Sequence, residues 1–332
     1  MKSNYLGRSN LIVSNICLGT MHFGSRTNEK DAFSIMDKAV DLGINFFDTS
    51  NNYGTKPGKA EEIIGKWFKL GGGRRDKVVL ATKVYYYMEQ EKDNYNDQPG
   101  ISAYKVRKHL DGSLSRLQTD HIDIYQVHHF DRRVTGEEFW GSLGRVVVKG
   151  DVIYVGTSNF PGWGLAKFQM IARQQGLFGF ISEQSMYNLF NRMPELEIIP
   201  AAKDFGIGVL SYMPLAGGLL AGINKVVVGS RTEVVRKEYG IGSQGSQQIN
   251  DFSKLCKEIG EKENHVAIAW TLANPGVSSS IVGIRTIQHL EGLQKASELI
   301  LDKQTMQRLD EIFNINRGKL LQAGEAPEAF AW

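Results

Sequence analysis

Eight short apolar runs separated by helical patterns predict an α/β fold, a single (β/α)8 barrel of the TIM type spanning the 332-residue chain. Three observations carry this reading. Most of the runs are rich in apolar residues, as strands buried on both faces tend to be. They recur at a spacing of roughly 30–40 residues, enough for one helix between parallel strands. Polar residues stand directly after several of them, where a barrel of parallel strands gathers its chemistry.

Taken in order, Tyr5–Val13 reads as a hairpin that plugs the bottom of the barrel, and Ile16–Gly19 as the first strand. Ile44–Phe47 leads into Asp48 as the second strand, and Lys59–Leu70 follows as a helix closed by three glycines. Val78–Lys83 is the third strand, Ser102–Leu117 a helix, and Ile122–His128 the fourth strand. Thr135–Val148 is helical, and Val152–Gly156 forms a strand ending at Thr157, Ser158 and Asn159. Gly164–Gln175 and Glu195–Phe205 are helices around the strand Phe180–Gln184, and Ile207–Tyr212 is the seventh strand. Gly217–Ile249 breaks the rhythm with Gly, Ser, Val and Gln. Long loops inside compact domains are usually functional, so this one reads as a lid over a bound ligand. Ser279–Gly283 is the last strand, with a helix near Ile287–Glu298.

Composition narrows the classes of function. The hydrophobic fraction of 42% supports a large core, and the net charge of +3 comes from interspersed acids and bases. No Lys/Arg tract stands out, which argues against a nucleic-acid partner. Cys17 and Cys256 are the only cysteines, too few for a disulfide framework or a cysteine zinc site, and they fit a reducing, cytoplasmic setting. The first residues lack a continuous apolar core, so no secretory leader is expected. No stretch approaches the roughly 20 apolar residues of a membrane span. Oligomeric state is left open by the sequence.

Asp48, Tyr53, Lys83 and His128 form a candidate proton-transfer set at three consecutive strand ends. A phenol is a poor acid at neutral pH, but a nearby ammonium favours its ionised form. Lys83 supplies that charge, Asp48 holds Lys83, and His128 orients a carbonyl oxygen. Such a site donates a proton to an oxygen as negative charge develops on it, and the hydride must then come from a cofactor. Each residue also has a plainer reading: a loop tyrosine, a turn-capping aspartate, a surface lysine, or a histidine paired with His129 on a metal. Neighbouring strand positions point to opposite faces, which weighs against that last reading, and no metal site is expected. There is no G-x-G-x-x-G after a first strand, so a Rossmann cofactor site is unsupported. Barrels instead hold phosphate at the loops after their seventh and eighth strands, here the Gly-rich segment and the turn of Arg285. Tyr85, Tyr86 and Tyr87 read either as an aromatic mouth or as a surface cluster, while Trp67, Trp140, Trp163 and Trp270 read as packing residues. Trp332, at the chain end, either folds back toward the pocket or frays.

The stretch GINFFDTSNNYGTKPGKAEEIIG at 43–65 resembles the first signature of the aldo-keto reductases. VVLATKV, DHIDIYQVHHFD, YVGTSNF, ISEQSMYNLFNR, GVLSYMPLAGGLL and IVGIRTIQHLEGL match later family segments in the right order. The opening YLGRSNLIVSNICLGTMHFG is similar to a branch near bacterial reductases and potassium-channel β subunits. The resemblance implies NADPH-dependent reduction of an aldehyde or ketone, with Tyr53 as general acid and His128 as substrate orienter. It also implies nicotinamide contacts at Ser158, Asn159 and Gln184, ribose contacts near Thr20 and Met21, and a stacking ring at Tyr212. Pro214, Leu215, Gly217 and Gly218 match a pyrophosphate loop, with Arg231 as a clamp. Gly283 and Arg285 match the 2′-phosphate turn. His289, Gly292 and Leu293 depart from the family there, so NADH is the lesser alternative, with His289 a substitute contact. His22, Tyr85 and His129 are the candidate substrate contacts. By the same resemblance, a redox-sensing subunit that holds NADPH with weak turnover is one alternative. A keto-sugar reductase of a biosynthetic pathway is another.

Overall fold

A computed structural model describes residues 1–88, 95–222 and 243–313. Strands β1 (Ser3–Tyr5) and β2 (Ile12–Ser14) form an antiparallel hairpin. Eight parallel strands then close into a barrel: β3 (Ile16–Gly19), β4 (Phe46–Asp48), β5 (Val79–Val84), β6 (Ile122–Val127), β7 (Val152–Ser158), β8 (Phe180–Met186), β9 (Gly208–Tyr212) and β10 (Val277–Gly283). They pair in chain order, and β10 returns to pair with β3. The eight expected strands are all present.

The helical layer comprises α1 (Glu29–Asp41), α2 (Lys59–Lys69), α3 (Ala103–Leu117), α4 (Gly136–Lys149), α5 (Gly162–Gln174) and α6 (Ile198–Phe205). It continues with α7 (Ser243–Glu258), α8 (Glu263–Ala273), α9 (Leu293–Glu298) and α10 (Lys303–Ile312). Local chemistry starts and stops many of these. Asn28, Ser102, Thr135 and Asp302 accept from backbone N–H groups of the first turns of α1, α3, α4 and α10. Gly150 and Gly206 end α4 and α6 in the left-handed conformation.

Two apolar layers result. Inside the barrel, Cys17, Phe46, Ala81, Ile124, Ile181, Leu210 and Ile281 form one cluster, with Leu6 and Val13 of the hairpin packed into it. The hairpin therefore plugs the barrel, as its sequence suggests. Gly7 makes this possible: at φ 55°, an added Cβ would sit 2.5 Å from the Gly206 carbonyl oxygen and 2.6 Å from that of Ile181. Outside, the strands and helices share a larger core that includes Phe47, Trp67, Leu80, Phe139, Trp140, Phe180 and Trp270.

Several expected boundaries are corrected. The segment 217–249 is not loop throughout, because α7 begins at Ser243. Phe252, Leu255 and Cys256 are buried at helical spacing, and that burial outweighs the polar residues around them. Residues 223–242, including Arg231, and Trp332 lie outside the described residues. The expected helix near Ile287–Glu298 is a 3-10 turn at Ile287–Leu290, then a break, then α9. Gly292 turns left-handed there at φ 79°, and a Cβ on it would run into the His265 ring. The helix expected at Glu195–Phe205 is likewise a 3-10 turn at Met193–Glu195 followed by α6. Helices α1, α7, α8 and α10 stand outside the expected set. Trp163 is 40% exposed at the start of α5, rather than packed in the core.

Candidate active site

The inner apolar layer contains Phe46, Ala81 and Ile124. Two residues further along the same strands, the pleat points Asp48, Lys83 and Gln126 into the barrel mouth. All three are buried. Lys83 Nζ donates to both Asp48 oxygens, at 2.8 and 2.7 Å, and to the Thr49 carbonyl at 2.8 Å. It lies 3.3 Å from Tyr53 Oη, which accepts from it. Gln126 Nε2 and Gln184 Nε2 donate to Asp48 Oδ1 at 3.0 and 2.9 Å. Asp48 thus has charged and neutral donors around one carboxylate.

Burial pulls the Lys83 ammonium down, but the Asp48 charge at contact outweighs it, and the net shift is upward. Lys83 therefore carries its charge at neutral pH and presents it to the phenol of Tyr53. His128 lies past the end of β6, with its ring edge-on to Tyr53 at 6.1 Å between centroids. Its Nδ1 is 3.3 Å from Ser50 Oγ. Burial, then Lys83 and His129, drive its pKa well below the ordinary histidine value, so the ring is neutral. A neutral imidazole can donate from one nitrogen while accepting at the other.

The pair His128–His129 is arranged differently from a strand pair. Both residues lie beyond Val127, so the alternation of the pleat does not govern them, and their rings stack at 5.2 Å with 17° between planes. Tyr86 packs edge-on against His128 at 5.3 Å, and its hydroxyl lies 2.7 Å from His129 Nε2. Tyr85 lies 5.2 Å from the His129 ring. Burial lowers His129 to about 4 and raises both tyrosines, so this wall beside Tyr53 and His128 is aromatic and uncharged at neutral pH. Tyr87 is exposed and does not join it.

A second corner gathers around Asn159. Its Nδ2 donates to the His128 carbonyl at 3.1 Å and to Ser158 Oγ at 3.0 Å, and its Oδ1 accepts from Tyr212 Oη at 2.9 Å. Ser158 Oγ donates to the Gln184 carbonyl at 2.9 Å. Asn159 is left-handed at φ 57°, a conformation asparagine tolerates better than most residues. Gln184 reaches Asp48 because the β7–β8 register slips by one residue at Ile181, which turns the following side chains over.

Thr20 is buried, and its Oγ1 donates to the Asp48 carbonyl at 2.9 Å. Met21 and His22 are half-buried in the turn after β3, and His22 faces Gly283 at the end of β10. Pro214 is buried, whereas Leu215, Gly217 and Gly218 are half-buried after β9. Gly283, Arg285 and His289 are exposed in the turn after β10. That turn is anchored by Thr27 Oγ1 donating to the Arg285 carbonyl at 3.0 Å, and by the Arg285 N–H donating to His289 Nδ1 at 3.3 Å. The strand order thus brings together residues 20–22, 48–53, 83–86, 126–129, 158–159, 184 and 212 at one end of the barrel.

A sequence model described as the aldo/keto reductase family matches residues 15–314. The chain belongs to the aldo/keto reductase family. Across 335 aligned positions it is 50% identical to the uncharacterized oxidoreductase YrpG of Bacillus subtilis, covering all of both chains. It is 33% identical to norsolorinic acid reductase B of Dothistroma septosporum, over 92% of this chain and 80% of that one. It is 32% identical to the aldo-keto reductase dtxS3 of Metarhizium robertsii, over 93% and 90%. As an aldo-keto reductase it is an NAD(P)H-dependent oxidoreductase acting on small carbonyl compounds. Among the described residues, no helix is long and apolar enough to cross a membrane.

Three residues in or directly behind this candidate site were not singled out from the sequence: Gln126 beside Asp48, Ser50 beside His128, and Glu183, which accepts from the Phe160 N–H. Gln126 had a signal, since it is the polar member of the inward-facing set in β6. Ser50 and Glu183 had none, because their roles depend on contacts made by residues distant in the chain.

Proposed function

We propose that this aldo-keto reductase reduces an aldehyde or ketone to an alcohol with NADPH, and that Tyr53 gives the proton. The observation that carries the reading is the line Asp48–Lys83–Tyr53, in which a buried, charged lysine donates to the phenol oxygen. An ammonium at that distance favours loss of the phenolic proton when a substrate oxygen becomes negative. His128, neutral and edge-on to Tyr53, holds that oxygen by a hydrogen bond.

The residues present fit a nicotinamide cofactor. Ser158, Asn159 and Gln184 offer hydroxyl and amide groups at one corner of the mouth, and the half-buried Tyr212 ring adjoins them. Such a set can match the donor and the acceptor of a carboxamide. Arg285 offers an exposed cation on an anchored turn, suited to a 2′-phosphate, and His289 stands beside it. Burial and Arg285 hold the His289 imidazole below its ordinary value, so Arg285 is the charged partner. Thr20, Met21, Pro214, Leu215, Gly217 and Gly218 would complete the cradle. When bound, the reduced nicotinamide supplies hydride to the carbonyl carbon. The chain's own part is to orient the carbonyl and deliver the proton. His22, Tyr85 and His129 would face the substrate.

Tyr53→Phe tests the acid. Turnover of an aromatic aldehyde should fall by about 10²–10⁴-fold, with NADPH binding retained. Turnover at the wild-type rate would remove Tyr53 from the role. In the same assay Arg285→Leu should erase any preference for NADPH over NADH. An unchanged preference would place phosphate recognition elsewhere.

A further inference from the structure

Glu183 lies on β8, fully buried, on the helix side of the sheet. It pairs in register with Val209, which belongs to the outer core, while Gln184 pairs with Leu210 of the inner cluster. We propose that Glu183 is a positioning residue, held as a neutral acid, that sets the turn carrying Asn159. This rests on the reading above that Asn159 faces the cofactor.

Hydrogen-bond accounting supports the neutral form. Thr157 Oγ1 lies 2.5 Å from Glu183 Oε2 and 3.2 Å from the Ser182 carbonyl, two acceptors for one hydroxyl hydrogen. If Oε2 carries the proton, it donates to Thr157 Oγ1, and Thr157 donates onward to Ser182. Both contacts are then satisfied. Oε1, as the carbonyl oxygen, accepts from Ser185 Oγ at 2.8 Å and from the Phe160 N–H at 3.2 Å. No cation pairs with Glu183 among the described residues. Among the described residues, the groups that bond to it are Thr157 on β7, Ser185 on its own strand and the Asn159–Phe160 backbone, all of them neutral. Burial, against only these neutral donors, raises its pKa to about 8.

The Phe160 N–H follows directly after Asn159, the left-handed residue. Fixing that N–H fixes the direction in which the Asn159 side chain leaves the turn. That side chain then ties together the His128 carbonyl, Ser158 and Tyr212. A carboxyl on the hidden side of the sheet thereby orients the polar corner of the mouth. Ionisation would remove the donor to Thr157 and place an unpaired charge under the turn.

The test is NADPH affinity, followed by tryptophan fluorescence from pH 6 to about 10, for wild type, Glu183→Gln and Glu183→Leu. The glutamine amide reproduces the donor and acceptor of the neutral acid, so it should restore the affinity that leucine loses. The loss in Glu183→Leu should be about tenfold or more. Wild-type affinity should decline above pH 8, and Glu183→Gln should not follow it. Aldehyde KM should move less than NADPH affinity. Glutamine weakening binding as much as leucine, or a wild-type profile shared by Glu183→Gln, would overturn the proposal. A wild type that binds no NADPH would sink both the site reading and the positioning role. Denaturation separates the two failures. The native state binds the extra proton between about 4.5 and 8, so wild-type stability should fall with rising pH across that window, a slope that Glu183→Gln removes. If the slope is the same in both proteins, Glu183 is not a neutral acid, whatever the cofactor does.

Discussion

Lys83 and Lys105 are both buried lysines beside buried aspartates, yet Lys83 is raised above its ordinary value while Lys105 drops to about 8. Burial is the largest influence on both, and it lowers both. The difference lies in what stands at contact distance. Lys83 meets both Asp48 oxygens within 2.8 Å. Lys105 is 4.0 Å from Asp97 and donates instead to the carbonyls of Tyr85, Asp97 and Gln98. Asp97 is occupied by His109 Nε2 and the Met88 N–H. Carbonyl dipoles support a cation less than a full charge in contact does. One cluster therefore stores a positive charge beside a phenol. The other is a structural clasp: Lys105 holds the chain after β5, and His109 holds Asn51, three residues beyond Asp48, at 3.0 Å.

The largest effect that would break this contrast is expected from Lys83→Met. It leaves Asp48 buried without its cation, so unfolding free energy should fall by about 3–5 kcal/mol. Aldehyde reduction should fall by about 10²–10⁴-fold. Denaturant titration and steady-state kinetics check the two separately. A mutant near wild type in both would mean that the Lys83 charge is not needed.

Lys105→Met should cost less, about 1–3 kcal/mol, because it strands carbonyls rather than a lone charge. Its kinetic effect should appear mainly in aldehyde KM, through the loop of Tyr85. The sign with pH follows from the lowered value. The native state holds the proton less tightly than the unfolded chain, so the penalty is complete below about 8 and lifts toward 10.5. Wild type should gain stability over Lys105→Met across that range. A flat difference would show that Lys105 is as firmly charged as Lys83.

The smallest expected effect sharpens the comparison on the acid side. Burial lowers His109 to about 4, and lowers His128 and His129 too. The unfolded chain takes up these protons first, so stability should drop as pH falls from about 6.5 toward 4. His109→Gln should flatten part of that slope, read from denaturation midpoints, with neutral-pH turnover nearly retained. A slope unchanged by the substitution would mean that the clasp histidine does not titrate as its burial requires.

Asp48, Lys83 and His128 were legible because each stands directly after an apolar run, and the pleat explains why two of them share a face. Asp48 and Lys83 follow inward apolar residues by two positions, and the same parity continues to Gln126. Tyr53 was legible from its place after a strand end together with the family signature around it. Other features were not. The register slip at Ile181 turns Gln184 inward and Glu183 outward, and nothing local in ISEQSM announces it. The stacking of His128 on His129 arises because the strand stops at Val127. The break before α9 needs Gly292 because His265, on another helix, occupies the space a side chain would take. The start of α7 inside a Gly- and Gln-rich segment is carried by the burial of Phe252, Leu255 and Cys256, which composition conceals.

The order of the strands, the polar residues that end or follow several of them, and the hairpin beneath them are properties of the sequence alone, because periodicity and chain order are local. The protonation of Lys83, Lys105 and Glu183 was decided only by the tertiary structure. Each depends on how far water is excluded and on a few ångströms between residues distant in the chain. A lysine 2.7 Å from a carboxylate and one 4.0 Å from it look alike in sequence. The Coulomb energy of a buried pair does not treat them alike.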